Sequence, residues 1–156
     1  ELILKQEKEI FKRKEEELNR ELKLKTLKLI NISELNTKII NDLTALNAHT
    51  DKEGKKKIYS LINQYKIDSQ NQIWKEFEIL FQKVHSRFYD NLFKEYPNLT
   101  SNERKLCAFF RLNLTTKDIS SITFQSIDSI RRARTRLRKK LKIDSSVEIN
   151  SFLLNF

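Results

Sequence analysis

Residues 99–143 read LTSNERKLCAFFRLNLTTKDISSITFQSIDSIRRARTRLRKKLKI, and the fold is decided in this stretch. Helix-start signals punctuate it three times. Thr100-Ser101-Asn102-Glu103 fits a capping box, in which the threonine hydroxyl accepts from the amide of Glu103 while the glutamate carboxylate reaches back. Leu106, Phe109 and Phe110 form the apolar face of the helix it opens, and Asn113, a residue tolerant of the left-handed conformation, stands where that helix must end. Thr115-Thr116-Lys117-Asp118 offers a second capping box and opens a short helix with Ile119 and Ile122. Ser126 is a good N-cap for a third helix, whose inward positions are Ile130, Ala133, Leu137 and Leu141. Ser145-Ser146-Val147-Glu148 reads as a further box before Ile149, Phe152, Leu153 and Phe156. Short helices with tight turns, the third of them loaded with cations, make the arrangement of a helix-turn-helix module.

Between Arg131 and Lys142 stand Arg131, Arg132, Arg134, Arg136, Arg138, Lys139, Lys140 and Lys142 with no acid among them, so this stretch carries +8 of the chain's +10. Solvated helix faces normally mix signs, because like charges four residues apart repel. Pairs such as Arg132/Arg136 and Arg134/Arg138 accept that repulsion, which points to a polyanionic partner, nucleic acid before all others.

Outward from this module the chain is helical throughout. One glycine (Gly54) and one proline (Pro97) in 156 residues leave too few turn residues for an all-β fold and none for a glycine-rich phosphate loop. Residues 1–50 read as one long helix with an imperfect heptad seam. Leu4, Phe11, Leu18, Ile32, Ile39 and Leu46 share one position, and Leu22, Leu29 and Leu43 share the position four later. The expected role is parallel self-association through Phe11, Leu18, Leu22, Leu29, Ile32, Ile39 and Leu43. A second stripe, Leu24, Leu27, Ile30 and Leu35, suggests contact with something besides one partner helix. Residues 51–96 read as a helical connector: Gly54 as a left-handed cap or turn residue, a short helix through Ile58, Leu61, Ile62 and Tyr65, and another capped by Ser69. The inner face of that last helix runs Ile73, Trp74, Phe77, Phe81, Val84, Phe88, Leu92 until Pro97 stops it. Residues 97–156 are the module itself.

The run Leu99-Thr100-x-x-Glu103, Leu114-Thr115-Thr116-Lys117-Asp118-Ile119, Ser126-x-x-Ser129-Ile130-Arg131 and Arg138-x-Lys140-Leu141-x-Ile143 resembles the LuxR-type helix-turn-helix domain of bacterial transcription regulators. The preceding Trp74-x-x-Phe77-x-x-x-Phe81-x-x-Val84-His85-x-x-Phe88, leading into Tyr96-Pro97-x-Leu99-Thr100, is similar to a subgroup in which the module follows a long coiled coil. That resemblance implies an all-α chain acting as the cytoplasmic output region of a longer sensor-regulator, tethered to the inner membrane by a segment ahead of Glu1 or joined to an upstream sensor. It implies double-stranded DNA as partner, a homodimer, no cofactor and no small-molecule substrate. By position it puts Arg131, Arg132 and Thr135 on base edges, and Thr116, Lys117, Ser129, Arg134, Arg138 and Lys139 on backbone phosphates. The family prefers apolar residues where Thr123 and Gln125 stand, and two polar residues there weaken the packing of the turn unless Phe124 swings in to replace them; Ala133 stands where many members carry histidine.

Enzyme chemistry has little to stand on. His49 and His85 are the only histidines and lack metal-ligand spacing, and Cys107, between Leu106 and Ala108, reads as a small core hydrophobe. The competing reading from another class is a coiled-coil adaptor whose basic helix binds acidic lipid or protein. It wants a broad exposed apolar face with Trp or Phe beside the cations, and the third helix keeps only a narrow core stripe.

Overall fold

The computed structural model describes residues 1–156, and the chain is all-α, without a strand. α1 (Leu2–Leu46) is 45 residues long, about 67 Å at the helical rise of 1.5 Å per residue. A single 3-10 turn (Asn47–His49) and an extended Thr50 reverse the chain. α2 (Lys52–Val84) then runs back along α1. Leu18 and Leu22 line one crevice with Leu80 and Val84, and Leu29 lies in another with Tyr65 and Ile73, which fixes the antiparallel register. Asn36, at the heptad position of Leu29 and Leu43, is used within this hairpin: its amide donates to the Ser69 hydroxyl and its carbonyl accepts from Tyr65 Oη at 2.7 Å.

The hairpin corrects several sequence expectations. Leu22 and Leu29 do not lie on a self-association seam; they are 2% and 5% exposed and belong to the core of the chain itself. An apolar stripe demands burial without naming its partner, and a neighbouring antiparallel helix reached through a short turn is the nearest one. Phe11, Ile32 and Ile39 stay exposed, and Leu18 and Leu43 are half-buried. Of the second stripe only Ile30 is buried; Leu24, Leu27 and Leu35 face outward, and the second buried face of α1 is instead built on Thr26, Ile30 and Ser33.

The connector is two helices, but the break falls at His85–Arg87 and not before Ser69. Ser69 sits inside α2 and caps nothing, its hydroxyl being bound to Asn36. Gly54 is not left-handed. It lies in the first turn of α2, where its amide donates to the N-cap carboxylate of Asp51 at 2.8 Å, and an added Cβ would stand 1.9 Å from Thr50 Oγ1. α2 also ends before Pro97. The chain breaks at His85–Arg87, with the His85 carbonyl accepting from the Phe88 amide at 3.1 Å, and restarts as α3 (Phe88–Glu95). No breaker residue marks this place and the aromatic spacing continues through it, which is why periodicity reads straight across. The break lets Phe81 meet Phe88 edge-on, with ring centroids 5.2 Å apart.

α4 (Ser101–Arg111), α5 (Thr116–Thr123), α6 (Ile127–Lys140) and α7 (Ile149–Leu153) complete the chain. Both leading capping boxes form: Thr100 with Glu103, and Thr115 with Asp118. The box expected before α7 does not. Asp144, not Ser145, organises that loop, accepting from the Ser146 amide and hydroxyl at 3.0 Å each, and Glu148 precedes α7 without a side-chain cap bond. One core of 23 buried residues runs from Leu22 and Leu29 through Phe77, Phe81 and Phe110 to Ile130, Leu137 and Leu153, so hairpin and module share their interior.

With a single glycine in the chain, the left-handed positions fall to other residues: Asn113, Phe124 and Lys142, at φ 58°, 56° and 53°. Asn113 and Lys142 each close a helix in the Schellman manner. The amides of Leu114 and Ile143 reach back to the carbonyls of Phe109 and Arg138, and those of Asn113 and Lys142 to Phe110 and Lys139. Phe124, left-handed at the end of α5, packs partly buried against the core.

Candidate nucleic-acid interface

α6 is anchored by one face and open on the rest. Ser126 caps it, accepting from the Ser129 amide at 3.1 Å; Ile130 and Leu137 are fully buried and Leu141 nearly so. Between these anchors the exposed residues are Arg131, Arg132, Thr135, Arg136, Lys139 and Lys140. α1 and α2 lie against α5 and leave this outer face of α6 uncovered. The hairpin grips the far end of α5 through its backbone: the Ser33 hydroxyl donates to the Ser121 carbonyl, and Gln70 donates to the Thr123 carbonyl at 2.7 Å.

The eight cations divide into two groups. Arg134 is drawn inward, 34% exposed, with its guanidinium 5.5 Å above the Phe110 ring and 3.1 Å from the Glu148 carboxylate. Arg138 donates to the Asp144 carbonyl at 2.8 Å, and Lys140 holds Glu103 at 2.8 Å. These three staple α6 to its neighbours. Burial alone raises the Glu103 carboxyl, but hydrogen bonds from Lys140 and from Thr100 outweigh it and hold the group below its ordinary value. Arg131 makes one exposed pair with Asp128 at 3.3 Å, worth little in water. Arg132, Arg136, Lys139 and Lys142 have no intramolecular partner for their charge.

Of the positions expected on base edges, Arg131 and Arg132 stand exposed in the first half of α6. Thr135 is exposed too, with its hydroxyl turned back onto the Arg131 carbonyl at 3.1 Å. Among the expected phosphate positions, Lys117 and Lys139 project freely and Thr116 is half-buried at the start of α5 beside its open first-turn amides. Ser129 receives the Ser126 hydroxyl at 2.9 Å. Arg134 and Arg138 carry structural bonds that sequence reading did not foresee, because their partners Glu148 and Asp144 lie in a loop whose return to α6 has no local signature. Arg136, outside the expected set, is exposed on the same face as Arg132.

Cys107 is buried, and its burial, with Glu103 nearby, pushes the thiol up to about 12, so it stays protonated at neutral pH. No three metal-ligating side chains converge, and no helix is long and apolar enough to cross a membrane. No family model matches the chain, and no curated protein or solved structure matches it.

Proposed function

We propose that the chain binds double-stranded DNA as a homodimer to control transcription, acting in the cytoplasm as the output region of a longer sensor-regulator. The observation that carries this reading is the face of α6. Arg131, Arg132, Arg136 and Lys139 project from a helix whose opposite side is locked in the core, and the carboxylates near it are already engaged or sit at its N-terminal edge. A rigid helix with an open cationic face fits the major groove, its early residues at base edges and its later ones at phosphates. The LuxR-type resemblance supports the same roles: Arg131, Arg132 and Thr135 read bases, while Thr116, Lys117, Ser129 and Lys139 meet the backbone.

The dimer follows from Ile32, Leu35, Ile39, Leu43 and Leu46, which follow helical spacing and remain wholly or half exposed on the outer half of α1. A second copy of the hairpin is the occupant proposed for that face, because paired readers match paired half-sites.

The test is selection from random duplexes, followed by competition at fixed salt. Arg131→Ala or Arg132→Ala should cost about 1–3 kcal/mol on the selected site and far less on scrambled DNA. Equal losses on both duplexes would leave a basic helix that merely takes up polyanions, and would overturn the proposal in favour of an adaptor.

A further inference from the structure

A cleft of about 550 Å³ opens between α2, α4, α5 and α6 and meets the outer face of α6 at Arg136. Its floor is aromatic. Trp74, half-buried, stands edge-on to Phe109 with centroids 5.7 Å apart, and Lys105 Nζ lies 4.5 Å from the indole centroid. Arg136 reaches the cleft from α6, and neither it nor Lys105 has a carboxylate within ion-pair distance. The single acid in the lining, Glu103, is occupied by Lys140 Nζ and by the Thr100 amide, each at 2.8 Å. The side chains of Asn71 and Asn102 complete the rim.

This combination is chemically specific. The volume lies in the range of small-ligand sites. The half-buried indole packs against Phe77 and Phe109 and carries Lys105 over its ring; its exposed part offers stacking to a flat ring, and two uncompensated cations offer ion pairs to an acid group carried by that ring. Ala133, small where it lines the α6 wall, leaves the space open. We infer that this cleft binds a small planar aromatic anion, its ring on Trp74 and its acid group between Lys105 and Arg136.

Trp74 is the only tryptophan, so its indole N–H gives one resonance that reports on the cleft alone. The probes are 6-fluoro-2-naphthoate, its neutral carboxamide, 4-fluorophenyl phosphate and inorganic phosphate, titrated into the whole chain by ¹⁵N and ¹⁹F NMR. The naphthoate or the aryl phosphate should shift the Trp74 resonance saturably with a Kd below about 1 mM, and whichever binds tighter names the acid group as carboxylate or phosphate. The carboxamide should bind about tenfold more weakly, and Lys105→Gln and Arg136→Gln should each cost about five- to tenfold with the rest of the spectrum unchanged. No saturable shift with either aromatic anion would overturn the inference. So would equal binding of the carboxamide, tight binding of inorganic phosphate alone, or indifference to both substitutions.

Discussion

Ser33 of α1 donates its hydroxyl to the backbone carbonyl of Ser121, 88 residues away at the end of α5. Ser33 is fully buried, so this bond fastens the hairpin to the C-terminal helical module from within the packed interface. Removing the donor leaves the part-buried Ser121 carbonyl without this partner. Ser33→Ala should therefore cost about 1 kcal/mol or somewhat more in urea unfolding. Because hairpin and module share one core, circular dichroism and Trp74 fluorescence should report a single coincident transition. Separate transitions would show that the hairpin unfolds by itself.

Lys142→Gly should stabilise the chain by about 0.5–1 kcal/mol, since lysine bears the left-handed backbone cost at this exposed helix end and glycine does not. Phe124→Gly relieves the same cost but forfeits packing against the core, so its net effect should be destabilising. Denaturant midpoints of the two variants check the contrast.

The His85 imidazole is lowered to about 4 from its ordinary 6.5, by burial first and by the Arg111 guanidinium second. The folded chain thus favours the neutral ring. Between about pH 6.5 and 4 the unfolded chain binds more protons, so stability should fall as pH drops through that window and level off below it. Between pH 7 and 5 the loss should be about 1–2 kcal/mol after allowance for solvent screening. His85→Gln should flatten this slope, measured by urea unfolding at the two pH values.

Leu35→Glu with Ile39→Glu places two charges on the exposed half of α1 without touching its buried side. Sedimentation should give a dimer for the native chain and a monomer for this variant, with unchanged helicity. A native monomer at micromolar concentration would rule out the proposed pairing.

Lys117→Ala should weaken binding to selected and random duplexes alike and reduce the salt dependence by about one phosphate contact. Arg138→Ala should lower folding stability as well as affinity, because its guanidinium holds the Asp144 carbonyl. Thermal melts beside binding isotherms distinguish the two variants. A change of sequence preference in Lys117→Ala would contradict the proposed docking.

Helix boundaries from Thr100 to Lys140 were legible because their causes are local. Thr100 and Thr115 find their partners three residues on, Ser126 finds the Ser129 amide, and Asn113 ends α4 with its own backbone. The burial of Ile130, Leu137 and Leu141 followed from spacing alone. What α1 packs against was not local. The heptad pattern specified an apolar stripe, and tertiary structure decided that α2 takes Leu22 and Leu29 while Ser33, a small polar residue outside that pattern, is buried against α5. The same division holds in α6. Its cationic composition was plain in the sequence, but which cations remain free depended on Glu148, Asp144 and Glu103, brought to Arg134, Arg138 and Lys140 only when the chain closes on itself. Capping and periodicity act over three or four residues and are written in the sequence, whereas a counterion or a buried neighbour is a matter of distance in space, which only the packed chain establishes.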